Sequence, residues 1–326
     1  MFDLRKIQQN NFLIIGRGGM DIYPDPPGVK TENAVKFQTC LGGSSANIGV
    51  AINRHGGRSA LVTCVSDDAV GRFVLNQLTH YGIDKRYVRS VSGEFRTSLA
   101  VVESRVEDHQ SVIYRNGAAD FEMNIDDVEA VDYSAYGALI TTGTVFAAEP
   151  SRSAAFRALE LAREAGLPLI FDLDYRPYSW PSAEVASEVY QRAGALFDIV
   201  IGNDDEFGFM AGDYSKGLEQ ARELVLNGAS IAVYKMGEKG SVTITPEQEF
   251  KTGIFPVTPL KPTGAGDAFL GGFIASLADD KPLEESVLRG SACAAIVVAN
   301  VGCAPAMPTT AALNEFIASH PGPTKD

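Results

Sequence analysis

Leu260-Lys261-Pro262-Thr263-Gly264-Ala265-Gly266-Asp267-Ala268-Phe269-Leu270-Gly271-Gly272-Phe273 is the stretch on which the reading of this chain turns. Two glycines flank an alanine, a carboxylate follows, and apolar residues at helical spacing (Phe269, Phe273, Ile274, Leu277) begin at once. The pattern predicts a loop running into a helix N-terminus. There the first backbone N–H groups lack intrahelical partners and the helix dipole adds partial positive charge. Small residues at 264–266 let a phosphate come close to those N–H groups. Asp267 then stands at the rim of an anion site, as a base for a proton from an attacking hydroxyl.

Taken alone, the stretch is also explained by a plain turn with an N-cap. Other nucleotide fingerprints fail. The Rossmann pattern G-x-G-x-x-G/A has Phe269 at its third position, and Gly16-Arg17-Gly18-Gly19 has Asp21 there. No G-x-x-x-x-G-K-[ST] occurs anywhere in the chain, which disfavours a P-loop.

Outward from this stretch, short apolar runs alternate with helical spacing. Strands are predicted at Phe12–Ile15, Ala60–Val65, Leu139–Thr142, Leu169–Asp172, Ile199–Gly202, Ile231–Lys235, Ser241–Thr245 and Phe250–Phe255. Helices are predicted at Ser44–Arg54, Val70–Tyr81, Ser151–Ala165, Ala183–Ala193, Leu218–Asn227, Gly266–Leu277, Leu283–Asn300 and near Ala311–Ser319. This rhythm implies an α/β fold, a three-layer, mainly parallel sheet with helices on both faces. Ligands of such sheets bind outside the C-terminal strand ends. Phe95–Glu103 and Ser111–Arg115 alternate around a polar turn, a hairpin signal. No internal repeat or domain break is evident, so residues 1–326 are read as one unit, with a tail at Pro321–Asp326 expected to fray.

Composition narrows the class. With 45% apolar and 21% charged residues, the chain reads as an ordinary soluble globular protein. A net charge of −13 argues against nucleic acid and anionic membrane as partners, although local arginines can still bind an anionic substrate. The start Met1–Lys6 is charged and lacks a signal-peptide core, and the small-apolar run Ala292–Ala299 is too short to span a bilayer. Cys40, Cys64, Cys293 and Cys303 show no C-x-x-C spacing and read as reduced core thiols. A cytoplasmic location is expected.

Three further motifs carry chemistry. Gly42-Gly43 precedes a helix start with Asn47 one turn in, consistent with hydrogen bonds to a ligand or with a Gly-rich turn capped by Ser. In Asn203-Asp204-Asp205-Glu206, the first and last residues share a helix face. They can address one Mg²⁺ through its waters, or form a solvated acidic helix start. Arg115 and Arg176 can each make a planar pair with a carboxylate. Arg176 equally suits a structural ion pair with Asp172 or Asp174.

Pro262–Phe273 resembles the C-terminal signature of the ribokinase-like carbohydrate kinases, and Leu41–Ile48 resembles the N-terminal one. The two lie in the family's order, and the resemblance covers essentially the whole chain. It implies an ATP-dependent sugar kinase. Segments of about 17–38 and 90–117 would form a small β lid that often makes a homodimer contact. By resemblance, Asp267 is the catalytic base, and Gly264, Ala265 and Gly266 form the anion hole. Asp21, Gly42, Gly43 and Asn47 hold sugar hydroxyls, Asn203 and Glu206 serve Mg²⁺, and Lys235, Gly237, Gly240, Thr263 and Asn300 border ATP. Tyr114–Ala119 resembles the lid stretch of sugar-acid kinases, so Arg115 and Arg176 are expected to select an acid. The usual D-T-T-G-A-G-D lead-in is here Lys261-Pro262-Thr263. The missing aspartate makes the family's monovalent-cation site doubtful, and Lys261 itself can supply a fixed charge there. In these features, with the opening Gly16–Gly28 and Gly302–Pro308, the chain resembles the family's sugar-acid kinases of myo-inositol breakdown, and that resemblance implies 5-dehydro-2-deoxy-D-gluconate as substrate. A 2-keto-3-deoxygluconate kinase, or a ribokinase or fructokinase with a neutral sugar, is the alternative. A non-catalytic sugar sensor and a dehydrogenase fit less well.

Overall fold

The alternation of apolar runs and amphipathic helices resolves into two sheets of unequal size. The computed structural model describes residues 4–324. In chain order its elements are β1 (Asn11–Ile15), β2 (Gly19–Asp25), β3 (Lys36–Gly42), α1 (Ser44–Arg54), β4 (Arg58–Ser66), α2 (Ala69–His80) and β5 (Val88–Val91). Then come β6 (Leu99–Val102), β7 (Ser111–Tyr114), α3 (Ile125–Glu129), β8 (Ala138–Thr142), α4 (Ser151–Glu164), β9 (Leu169–Asp172), α5 (Ala183–Gly194) and β10 (Ile199–Asn203). The chain ends through α6 (Asp204–Ala211), α7 (Gly217–Leu226), β11 (Ile231–Lys235), β12 (Ser241–Ile244), β13 (Glu249–Thr252), α8 (Ala265–Ala278), α9 (Leu283–Val298) and α10 (Thr310–Ser319).

The large sheet has nine strands in the order β13-β12-β11-β10-β9-β8-β1-β4-β5. It is parallel from β11 to β5, and β12 and β13 are added antiparallel at one edge. Successive side chains of a strand face opposite sides, and here both sides are covered. Leu13 and Ile15 enter a core built from α4, α5 and α7, whereas Phe12 and Ile14 enter one built from α1, α8 and α9. That is why these strands read as unbroken apolar runs rather than as alternating ones.

The second sheet has four strands in the order β3-β2-β6-β7. β2, β6 and β7 come from the two segments expected to form the lid, with two corrections: β3 runs past residue 38 to Gly42, and the second segment joins late. Val88–Val91 pairs with β4 at the edge of the large sheet, so the segment from residue 90 onward enters the small sheet only at Leu99. Of the expected frayed tail, Thr324 donates its N–H to Ile254 O (2.7 Å), and residues 325–326 lie outside the described residues, as do 1–3.

From β1 the chain adds β4 and β5 on one side of the large sheet, then returns to add β8 and the later strands on the other, so the strand order reverses at β1. A crevice forms at such a reversal, at the C-terminal strand ends. Ser45 of α1 and Thr142 at the end of β8 meet there, their hydroxyl oxygens 3.1 Å apart. The residues after β1, β8, β9, β10 and β11 all open onto this side.

Candidate active site

Helix α8 starts without a side-chain cap. Its N-cap, Gly264, is left-handed (φ +87°), and a Cβ there would lie 2.7 Å from Cys303 Sγ, so glycine is required. The N–H groups of this first turn are therefore free to meet an anion. Asp267 lies in the same turn and accepts a hydrogen bond from Asn47 Nδ2 (2.8 Å). Its pKa is pushed up from 3.8 to about 7, first by burial, then by the neighbouring Asp174. Asn47, Arg176 and Lys235 oppose that rise.

Asp21 and Asp267 both act on Lys261 and Cys303. Asp21 sits within β2, a strand of the small sheet, not in a loop after β1. Asp21 Oδ2 accepts from the Tyr23 hydroxyl (3.3 Å), while Oδ1 is buried with no partner. Asn47 Oδ1 is likewise buried and unpartnered. Two acceptors thus await donors, as sugar hydroxyls would supply. Gly42 and Gly43 make this possible by being small. A Cβ on Gly42 would lie 1.9 Å from Asp21 Oδ1, and one on Gly43, itself at φ +93°, would lie 2.4 Å from Arg17 O.

A buried carboxylate cluster adjoins Asp267. Asp172 ends β9, Asp174 follows it, and Glu206 lies in the first turn of α6; burial raises Asp172 and Glu206, and the Lys235 ammonium opposes it in both. Asp174 accepts from the Ser44 hydroxyl (2.6 Å) and pairs with Arg176 Nη2 (2.6 Å). Arg176 is therefore an ion-pair partner of Asp174 in this structure, not a free carboxylate receptor. Arg115 is likewise engaged within the protein. Its guanidinium is buried, clamps Asp120 through Nε (2.9 Å) and Nη2, donates to Thr144 O (3.1 Å) and stacks on Phe121.

Asn203 and Glu206 form a capping box. Asn203 Oδ1 accepts from Glu206 N (2.9 Å), and Glu206 Oε2 accepts from Asn203 N (2.8 Å). Each spends one oxygen on its own helix, which leaves Glu206 Oε1 as the carboxylate oxygen for a water-bound cation. Among the described residues, no group of three or more His, Cys, Asp or Glu could hold a metal. The set suits Mg²⁺ that keeps its waters and rests mainly on substrate phosphates, not a closed protein cage.

The remaining expected residues are spread along one rim. Lys235 ends β11, and a Cβ on Gly266 would lie 3.5 Å from its Nζ. Gly237 (φ +56°) and Gly240 (φ +78°) form the turn into β12. Thr263 Oγ1 lies 3.4 Å from His109 Nε2, at the tip of the β6–β7 hairpin, so the small sheet reaches over the α8 loop. Asn300 bonds back to Ile296 O (2.8 Å), which engages its amide nitrogen in closing α9.

Two residues outside the expected site set, Arg17 and Tyr23, belong to this centre, as does Lys261, which was expected to supply a fixed charge. Lys261 is wholly buried, and its ammonium donates to Thr263 O (2.6 Å) and Val297 O (3.3 Å). Burial lowers its pKa, opposed by Cys303, Asp267 and Asp21. An anion loop, a base and a hydroxyl cradle thus share one crevice.

The sequence profile of the pfkB family carbohydrate kinase matches residues 9–310. The chain is a pfkB family carbohydrate kinase. It is 37% identical over 310 residues to a 5-dehydro-2-deoxygluconokinase of Photobacterium profundum, covering 94% of each chain. Its fold is that of solved kinases. One is an aminoimidazole riboside kinase of Salmonella enterica complexed with aminoimidazole riboside and an ATP analog (TM-score 0.79, 26% identity, 95% of this chain and 100% of that one). Another is a double-mutant fructokinase of Vibrio cholerae O395 with fructose, ADP and potassium ion bound (TM-score 0.82, 27% identity, 94% and 97%). Within this pfkB kinase no helix of the described residues is long and apolar enough to cross a membrane.

Proposed function

We propose that this kinase transfers the γ-phosphoryl group of ATP to the terminal hydroxyl of 5-dehydro-2-deoxy-D-gluconate, a step of myo-inositol breakdown. The observation that carries the chemistry is the Asp267 carboxylate, held by Asn47 at the open N-terminus of α8 with its pKa near neutrality. The name borne by a relative along the full length supports the substrate. Asp21, Asn47 and the small Gly42-Gly43 turn hold the sugar hydroxyls. Asp267 takes the proton of the attacking hydroxyl as its oxygen bonds to the γ-phosphorus. The bond to the bridging oxygen breaks, and ADP leaves. The N–H groups of Gly264, Ala265 and Gly266 receive charge that spreads over the transferring oxygens. Positioning supplies most of such a rate, since the protein forms no covalent link to the phosphoryl group.

Lys235, Gly237, Gly240, Thr263 and Asn300 border the nucleotide in this reading. Mg²⁺, held through water by Glu206 and Asn203, would neutralise phosphate charge. Lys261 takes the role a monovalent cation would fill. The small sheet acts as a lid, and the His109–Thr263 approach supports closure over the phosphate loop, which keeps water from the γ-phosphate. Release of ADP, measured with a coupled assay, should depend on added sugar and be fastest with 5-dehydro-2-deoxy-D-gluconate across a panel including 2-keto-3-deoxygluconate, ribose and fructose. A preference for a neutral sugar would refute the acid substrate.

The reading includes a homodimer through the lid. Val35, Phe37, Val112 and Tyr114 on or beside its strands are exposed, an apolar patch at a sheet without a further covering layer. Phe37→Glu should convert dimer to monomer in light scattering after gel filtration. A wild-type chain that runs as a monomer at micromolar concentration excludes it.

A further inference from the structure

Three guanidinium groups, those of Arg17, Arg115 and Arg176, lie within electrostatic reach of the Tyr178 hydroxyl. Two are already matched to a carboxylate, Arg115 to Asp120 and Arg176 to Asp174. Arg17 is not. It is buried at 8% exposure, and its one hydrogen bond runs from Nη1 to the Ser98 hydroxyl (3.0 Å). Among the described residues it makes no ion pair within 4.0 Å, although its charge acts at longer range on Asp21.

Its direction is set by the strand that follows. A Cβ on Gly19 would lie 3.1 Å from Arg17 Nη1, and Gly19 and Asp21 alternate onto the same buried face of β2. The guanidinium therefore shares that face with the unpartnered Asp21 oxygen. Apart from the bond to Ser98 its donors are not sealed in the core, so they stay open to a ligand, and the planar fork of a guanidinium matches a carboxylate.

We infer that Arg17 binds the carboxylate of the sugar acid, setting the preference for acids over neutral sugars. The inference rests on the sugar-acid reading above. In a six-carbon acid the carboxylate lies at the opposite end from the terminal hydroxyl. The residue that holds it must then be reached from Asp21, and the Arg17 guanidinium acts on the Asp21 carboxylate from the Gly19 side of the same strand face. Arg115 and Arg176 shape the surrounding wall through their internal pairs.

The test compares 5-dehydro-2-deoxy-D-gluconate with its uncharged methyl ester in wild type, Arg17→Met and Arg17→Lys. Arg17→Met should raise KM for the acid about 10–100-fold, the loss expected of a charge-assisted pair, and leave KM for the ester within about twofold. Arg17→Lys keeps the charge but not the fork and should fall between. A purely structural role would raise both KM values alike or lower the melting temperature of both variants without changing the acid-to-ester ratio. That outcome, or an unchanged KM for the acid, overturns the assignment. If wild type itself shows no preference for the acid, the sugar-acid reading fails. If wild type prefers the acid and Arg17→Met keeps that preference, only the role of Arg17 fails.

Discussion

Asp267→Asn should lower kcat by about 10²–10⁴-fold while ATP and sugar bind nearly as in wild type. Asparagine keeps the size and can still meet Asn47, which holds Asp267 at 2.8 Å, but it cannot take a proton. Steady-state kinetics with direct binding measurements separate the two effects, and a wild-type-like kcat would remove Asp267 from the mechanism. The same group sets the pH profile. Because its pKa is pushed up to about 7, wild-type kcat should climb with pH and level off above neutrality, and the variant should lose that inflection. Stability should move the other way. Between about pH 4 and 7 the folded state binds the Asp267 proton more tightly than the unfolded chain does, so stability falls as pH rises through that window. Asp267→Asn should therefore melt at a higher temperature than wild type at pH 8, and the gain should vanish near pH 4.

Lys261→Met should cost about 2–4 kcal/mol of stability and roughly 10²-fold in kcat. The stability loss arises because the Thr263 and Val297 carbonyls lose a buried ammonium that satisfies both. The rate loss arises because Thr263 O belongs to the peptide leading into Gly264, so that ammonium fixes the direction in which the anion loop points. Potassium or ammonium ion should restore part of the rate to the variant and leave wild type unaffected. Chemical melting and assays at stepped potassium concentrations measure both. Equal activity of variant and wild type in potassium-free buffer would show that the loop needs no cation beneath it.

Much of the fold was legible because both faces of the large sheet are covered, which turns its strands into continuous apolar runs. Helix α1 begins and ends at the expected residues, since Gly43 and the Arg54-His55-Gly56 close mark both ends. Val88–Val91 was not assigned to the large sheet. It is short, carries Arg89 and Ser90, and lies at an edge where only one neighbour pairs with it. In the site, Asp267 was expected from local spacing and Asn47 from the family resemblance, and the structure joins the two by a hydrogen bond. Arg115 and Arg176 were expected as receptors because pairing partners cannot be read from residue type. Their carboxylates, Asp120 and Asp174, come close only after the chain turns. Arg17 escaped notice for the opposite reason: between glycines it reads as part of a loop, and only its lack of a carboxylate partner marks it out.

Asp21 belongs to the small sheet, whereas Asn47 and Asp267 belong to the large body, and the chain passes from one to the other at Gly42-Gly43. A molecule gripped by all three staples the two bodies together. Any swing of the small sheet away from the large one dismantles half of that grip at the same moment. Affinity and closure are then a single mechanical event, and letting go of product means reopening the whole jaw.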